Sequence, residues 1–163
     1  MTIRRLNHAV VFVRDADASA RFYRDVLGFR DAFEMDGARF LQAAGSDNDH
    51  DLGLFTVGSD AARSAAGNGA VGLYHLAWEV ETLGGLEALR ARLEKEGALI
   101  GQSNHSTTKS LYARDLDGLE FEVCWIVPTA LLTEAELNER DRIRPLDLDA
   151  EIARFGADTP GRR

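Results

Sequence analysis

Four histidines, His8, His50, His75 and His105, and one carboxylate, Glu122, are the residues of this 163-residue chain best suited to chemistry. The carboxylate lies in "SLYARDLDGLEFEVCW", Ser110 to Trp125. Within it Asp115-Leu116-Asp117-Gly118 is turn chemistry, and the residues from Leu119 to Trp125 alternate strictly. Alternation in a strand puts residues i and i+2 on one face. Leu119, Phe121, Val123 and Trp125 therefore share an apolar face, and Glu120, Glu122 and Cys124 the other. On a solvated face the two glutamates need no explanation; on a face lining a cavity, one of them has a job. Two imidazoles and one carboxylate that leave coordination positions open form the set typical of non-haem Fe(II) centres.

Whether such residues meet depends on the elements that carry them, and these repeat. Leu6–Val13 reads as a strand. "DADASARFYRDVLGF" follows as a helix, with an aspartate N-cap, Ala18, Phe22, Tyr23, Val26 and Leu27 on one face, and Gly28 to stop it. Three strands come next: Phe29–Met35, Ala38–Ala43 and Asp51–Val57. After a small-residue linker, Gly58–Ala70, the order recurs. Leu73–Val80 is a strand, "LGGLEALRARLEKEG" a helix with Leu86, Leu89 and Leu93 inward, and Ala98–Gln102, Ser110–Arg114 and Leu119–Ile126 close the module. The expected fold is α+β, two tandem βαβββ modules forming a curved mixed sheet around a metal cavity. At a shift of 67 residues His8 maps onto His75 and Phe55 onto Glu122. Singly, a strand histidine is more often packed than ligating; the shared register is what makes His8, His75 and Glu122 a metal set.

The doubled order, with "NHAVVFVRD", "RFYRDVLGF" and "DLDGLEFEV", resembles the vicinal oxygen chelate superfamily, which includes glyoxalase I, bleomycin- and fosfomycin-resistance proteins and extradiol dioxygenases. The resemblance covers about residues 3–127. The family's Asp-Pro-Asp-Gly-Asn turn stands here as Asp115-Leu116-Asp117-Gly118-Leu119, without the proline and asparagine, but Glu122 is in place. Glyoxalase-like members use a fourth ligand, a carboxylate in the last strand of the first module. The repeat puts Phe55 there, so the expectation is three protein ligands.

Beyond the ligands, "DNDHDLGLF" resembles the segment that carries the acid–base histidine of extradiol dioxygenases, and "HSTTKSLYARDLDG" their pocket-lining His…Tyr stretch. Each residue has an ordinary alternative: His50 and His105 as loop surface, Tyr112 as core. The resemblance implies a catalytic set of His50, His105 and Tyr112, with Fe(II) as cofactor and Mn(II) as its alternative, acting on a catechol-type diol and O₂. A histidine titrates near neutrality and can accept a substrate proton. Two other readings stand beside this one: a metal-dependent thiol transferase of the fosfomycin-resistance kind, which needs a basic, potassium-holding loop, and a metal-free drug-binding protein of the bleomycin-resistance kind.

At 45% apolar and 28% charged residues, the composition is that of an ordinary soluble globular protein. The net charge of −8 disfavours nucleic acid as a partner. No apolar run approaches a membrane span, and the single cysteine, Cys124, fits a reducing cytoplasm. A homodimer is the expected assembly. The domain expectation is a vicinal oxygen chelate domain at 1–128 (modules 3–57 and 71–127), a helical extension at 129–156 with a capping box from Thr133 to Glu136, and a disordered tail at 157–163.

Overall fold

The computed structural model describes residues 2–162. They form two tandem βαβββ modules, each with a four-stranded mixed sheet. The first has β1 (Ala9–Val13), α1 (Ala16–Leu27), β2 (Arg30–Met35), β3 (Ala38–Gln42) and β4 (Leu52–Thr56). The second has β5 (His75–Glu79), α2 (Leu83–Lys95), β6 (Leu99–Asn104), β7 (Thr108–Arg114) and β8 (Glu120–Ile126), followed by α3 (Glu134–Asn138) and α4 (Leu148–Phe155). Strand orders are β1-β4-β3-β2 and β5-β8-β7-β6, with the first pair of each sheet parallel and the others antiparallel. By contacts the chain divides into two compact units. The first runs to Ser64 and includes the turn Asp115–Gly118; the second holds Ala65–Arg114 and the chain from Leu119 onward.

In the first unit, the Asp15 carboxylate accepts from the amides of Asp17 and Ala18, satisfying free donors at the start of α1. Gly28, at φ 80°, ends the helix in a conformation glycine adopts without strain. Phe22, Tyr23 and Val26 are buried on the face that packs against β3 and β4, with Leu41, Leu52 and Leu54 sealed beneath. The opposite face of this sheet carries Val10, Phe12, Phe33 and Met35, all exposed. Tyr23 donates to Asp115 (3.3 Å), and burial together with that carboxylate raises the phenol well above its usual range. Arg14 pairs with Asp117 at 2.7 Å, so the turn is held by two side-chain bonds.

In the second unit α2 buries Leu83, Leu86, Leu89 and Leu93. The covered sheet face is Leu111 and Ala113 from β7 with Phe121, Val123 and Trp125 from β8, all at most 1% exposed. The capping box at Thr133 and Glu136 is present, with both reciprocal bonds made. The closing residues 157–162, expected to be disordered, are tied down instead. Trp125 Nε1 donates to the Thr159 carbonyl (3.1 Å), Gly161 N to Glu81 O (2.8 Å) and Arg162 N to Ile126 O (2.9 Å). These partners are long-range, which a local reading of "ADTPGRR" cannot supply. Arg163 lies outside the described residues. No helix among those residues is long and apolar enough to cross a membrane.

Candidate metal and substrate site

The site residues are presented on two sheets. In the second unit, strand pairing puts Tyr112 directly opposite Glu122, Ser110 opposite Cys124 and Ala77 opposite Glu122. Alternation then sends Ser110, Tyr112, Glu122 and Cys124 to the face away from α2. His75 opens β5, and its Nε2 lies 3.1 Å from Glu122 Oε2. The other Glu122 oxygen, Oε1, accepts a 2.5 Å bond from Ser110 Oγ, which orients the carboxylate. Ser110 is fully buried, so this donor has no competing water.

Next to this pair is a second cluster. His105 Nε2 lies 2.8 Å from Ser103 Oγ and 3.0 Å from the Tyr112 hydroxyl, and Ser103 donates to that hydroxyl at 3.3 Å. The Tyr112 ring meets the His75 ring at 5.9 Å between centroids. Ser103 and Ser110 are cross-strand partners, so one row of the sheet contributes a hydroxyl to each cluster.

In the first unit His8 precedes β1 rather than lying within it. The ladder begins with the Ala9 amide bonding to Asp51 O (2.9 Å), and His8 Nδ1 meets Asn7 Oδ1 at 2.8 Å. The His8 and His50 rings stand 4.5 Å apart, and His50 also packs edge-on against Phe33 and Phe40. His50 is thus set on the open sheet face, with Asp49 3.0 Å from its Nδ1. Asp51 anchors the loop that delivers it, accepting from Ala43 N, Ser46 Oγ and Asn48 Nδ2.

The repeat register needs one correction. Val10 and Ala77 are 67 apart, but their partners Gly53 and Glu122 are 69 apart. The counterpart of Glu122 is therefore Gly53, not Phe55, because the second module spends two more residues before its last strand. Neither can ligate, and the neighbouring carboxylate, Asp51, is committed to the three donors above.

Among the described residues no group of three or more His, Cys, Asp and Glu side chains is placed to hold a metal ion. The pair His75 and Glu122 does fit a divalent cation. Two ligands at right angles, each about 2.1 Å from an ion, are about 3 Å apart, and the observed separation is 3.1 Å. His75 Nδ1 is buried and without a hydrogen-bond partner, so Nε2, facing the Glu122 carboxylate, is the ring's engaged nitrogen. Cys124 shares this face, but burial, with Glu122 and Glu79 nearby, pushes its thiol up to about 12, so it stays protonated near neutral pH. Ser103 and Ser110 were the residues not foreseen. Alternation puts Ser110 on the face of Glu122, and nothing local says that the two bond.

The Glyoxalase/Bleomycin resistance protein/Dioxygenase superfamily model matches residues 5–123. The chain belongs to this superfamily. Solved structures agree on the fold. The glyoxylase/bleomycin resistance protein/dioxygenase domain from Frankia sp. EAN1pec is 24% identical, with a TM-score of 0.60 over 76% of this chain and 98% of that one. Lactoylglutathione lyase from Agrobacterium tumefaciens is 23% identical, with a TM-score of 0.56 over 76% and 95%. The fosfomycin resistance protein FosX from Listeria monocytogenes is 16% identical, with a TM-score of 0.56 over 76% and 93%. No curated protein matches the chain. This superfamily member thus has neighbours of several activities, and its reaction has to be argued from its own residues.

Proposed function

We propose that the protein is an Fe(II)-dependent extradiol dioxygenase that cleaves the ring of a catechol-type diol, with His8, His75 and Glu122 as metal ligands and Mn(II) as the alternative ion. The observation that carries this is the His105–Tyr112 hydrogen bond on the strand directly paired with Glu122. A diol held at the metal by both oxygens needs donors and acceptors beside those oxygens, and a phenol bonded to an imidazole supplies both. At the glyoxalase-type fourth position Gly53 and Phe55 offer no ligating side chain, and the Asp51 carboxylate is engaged by three donors. A thiol transferase needs a free basic loop. Lys109 is 1% exposed and paired with Glu151, and Arg114 pairs with Glu120.

His8, His75 and Glu122 would hold the metal, which would supply Lewis-acid activation of the diol and one-electron chemistry with O₂. The chain's residues then have separate tasks. Ser110 holds Glu122 Oε1 so that Oε2 stays turned toward His75. Tyr112 hydrogen-bonds a substrate oxygen, and His105 holds the phenol in line. His50 takes a substrate hydroxyl proton and returns it later. Phe33 and Phe40, packed against His50, give that proton transfer an apolar surround. Both atoms of O₂ end in the ring-opened product. A homodimer belongs to the same proposal.

Anaerobic loading with Fe(II), then air and a panel of catechols, tests this by the yellow colour of a ring-opened product. Colour that requires Fe(II) or Mn(II) is expected. Iron-loaded protein that leaves every catechol intact but conjugates a thiol to an epoxide would overturn it.

A further inference from the structure

The C-terminal extension makes several of its polar contacts around one short turn, the β6–β7 connection Asn104-His105-Ser106-Thr107. Ser106 has φ +64°, the one positive value at a non-glycine among the described residues, and it is 2% exposed. Glycine would adopt this conformation freely, and a serine there is strained. What serine adds is a hydroxyl, which accepts from Arg144 Nη1 at 3.1 Å. Arg144 also pairs through its backbone with Asn104, by bonds of 2.8 and 3.0 Å. The Asn104 side chain accepts from Ser106 N and from Lys109 Nζ, both at 2.8 Å, and donates to Glu151 Oε1 at 2.8 Å. The residues on both sides of His105 are therefore clamped by Arg144, from the segment before α4, and by Glu151, within α4.

We infer that the extension is a positioning device: Arg144 and Glu151 hold the turn so that the His105 imidazole meets Ser103 and Tyr112. Its catalytic meaning rests on the dioxygenase reading above. Glycine at 106 would carry the turn without strain but would leave Arg144 without this acceptor; the serine ties the turn to the extension at a cost in backbone strain.

Ser106→Gly separates the two roles. It removes the acceptor of Arg144 while relieving the backbone, so its melting temperature should match or exceed that of the native protein. Arg144→Ala removes the same bond from the other side, and Arg142→Ala, whose side chain pairs only with Glu139, is the control. Three readouts apply: amide hydrogen exchange at 105–108, the ¹⁵N shifts of the His105 ring, and kcat on the best catechol with metal content measured alongside. Both variants, but not Arg142→Ala, should exchange roughly tenfold faster and move the His105 ring signals. Their kcat should fall about tenfold with metal content unchanged, within the loss that a small misplacement of a working group causes. Native exchange and native ring shifts in both variants would overturn the inference, and so would faster exchange with full kcat. If the native protein cleaves no catechol, the dioxygenase reading fails, while exchange and ring shifts still decide whether the extension positions His105.

Discussion

Replacing Glu151 by glutamine should cost about 3 kcal/mol at pH 7, and the cost should shrink as the pH rises. Lys109 is 1% exposed, with its ammonium 3.2 Å from Glu151 Oε2, 2.8 Å from Asn104 Oδ1 and 3.2 Å from the Ser106 carbonyl. Breaking a buried ion pair by removing one partner typically costs roughly 3–5 kcal/mol, because the remaining charge is left without compensation. Here two neutral acceptors remain, and glutamine keeps an oxygen for Asn104 Nδ2, so the lower end applies. For a chain of this length that is about 6–12 °C in melting temperature. The pH dependence gives the charge away. Burial lowers the Lys109 pKa below its ordinary 10.5, and Glu151 opposes that shift. A lysine with a lowered folded-state value penalises folding below that value, and the penalty is relieved as the pH climbs from there to 10.5. Without Glu151 the folded-state value drops further, so relief begins at lower pH and the gap to the native protein narrows on the alkaline side.

Thermal melts of both proteins between pH 6 and 10 measure this directly. A melting temperature within about 2 °C of native at pH 7 would refute the reasoning. A large gap that stays constant with pH would show that helix packing, not charge, had been lost. The double variant Lys109→Met/Glu151→Leu should recover most of the stability, since an apolar pair of similar volume often replaces a buried ion pair at little cost.

Four further outcomes follow from the site and the extension. Glu122→Ala should abolish tight Mn(II) binding in calorimetric titration, and Ser110→Ala should weaken it about 10–100-fold, the usual effect of losing a residue that orients a ligand; native affinity in Glu122→Ala removes it from the ligand set. His50→Ala should keep its metal while turnover falls about 10²–10⁴-fold, whereas native turnover would make His50 a packing residue. Tyr112→Phe should slow ring cleavage with metal still bound, and full activity on the best catechol would refute its contact with substrate oxygen. Hydrogen bonds from Arg154 and Thr133 hold the Glu136 carboxyl down at about 2, so it supports folding above its ordinary 4.5 and loses that support as the pH falls from 4.5 toward 2. Because Arg154 is 43% exposed, the contribution is about 1 kcal/mol after screening, and Glu136→Gln should flatten the acid limb of a stability–pH curve by that amount.

Much of the fold was legible because its signals are local. Asp15 and Gly28 mark the ends of α1, the leucines of α2 fall on one face, and the alternation of β8 separates Phe121, Val123 and Trp125 from Glu122. The Tyr112–Glu122 pairing could also be foreseen, since the short turn between β7 and β8 leaves few antiparallel registers. What stayed hidden depends on distant partners. The repeat drifts from 67 to 69 residues between the first and last strands of the modules, which only the ladders reveal. Residues 157–162 look featureless and are ordered by bonds to Trp125, Glu81 and Ile126. Alternation gives a side chain its face but not its bond, so it puts Ser110 and Tyr112 on one face of β7 without joining Ser110 to Glu122. The same rule explains how the extension reaches the site. Lys109 and Ser110 are consecutive in β7 and point to opposite faces. Lys109 enters the cluster of Asn104 and Glu151, while Ser110 holds the Glu122 carboxylate. One peptide unit therefore separates the buried charge that fastens the extension from the hydroxyl that orients the ligand, and a shift of β7 on one face must be felt on the other.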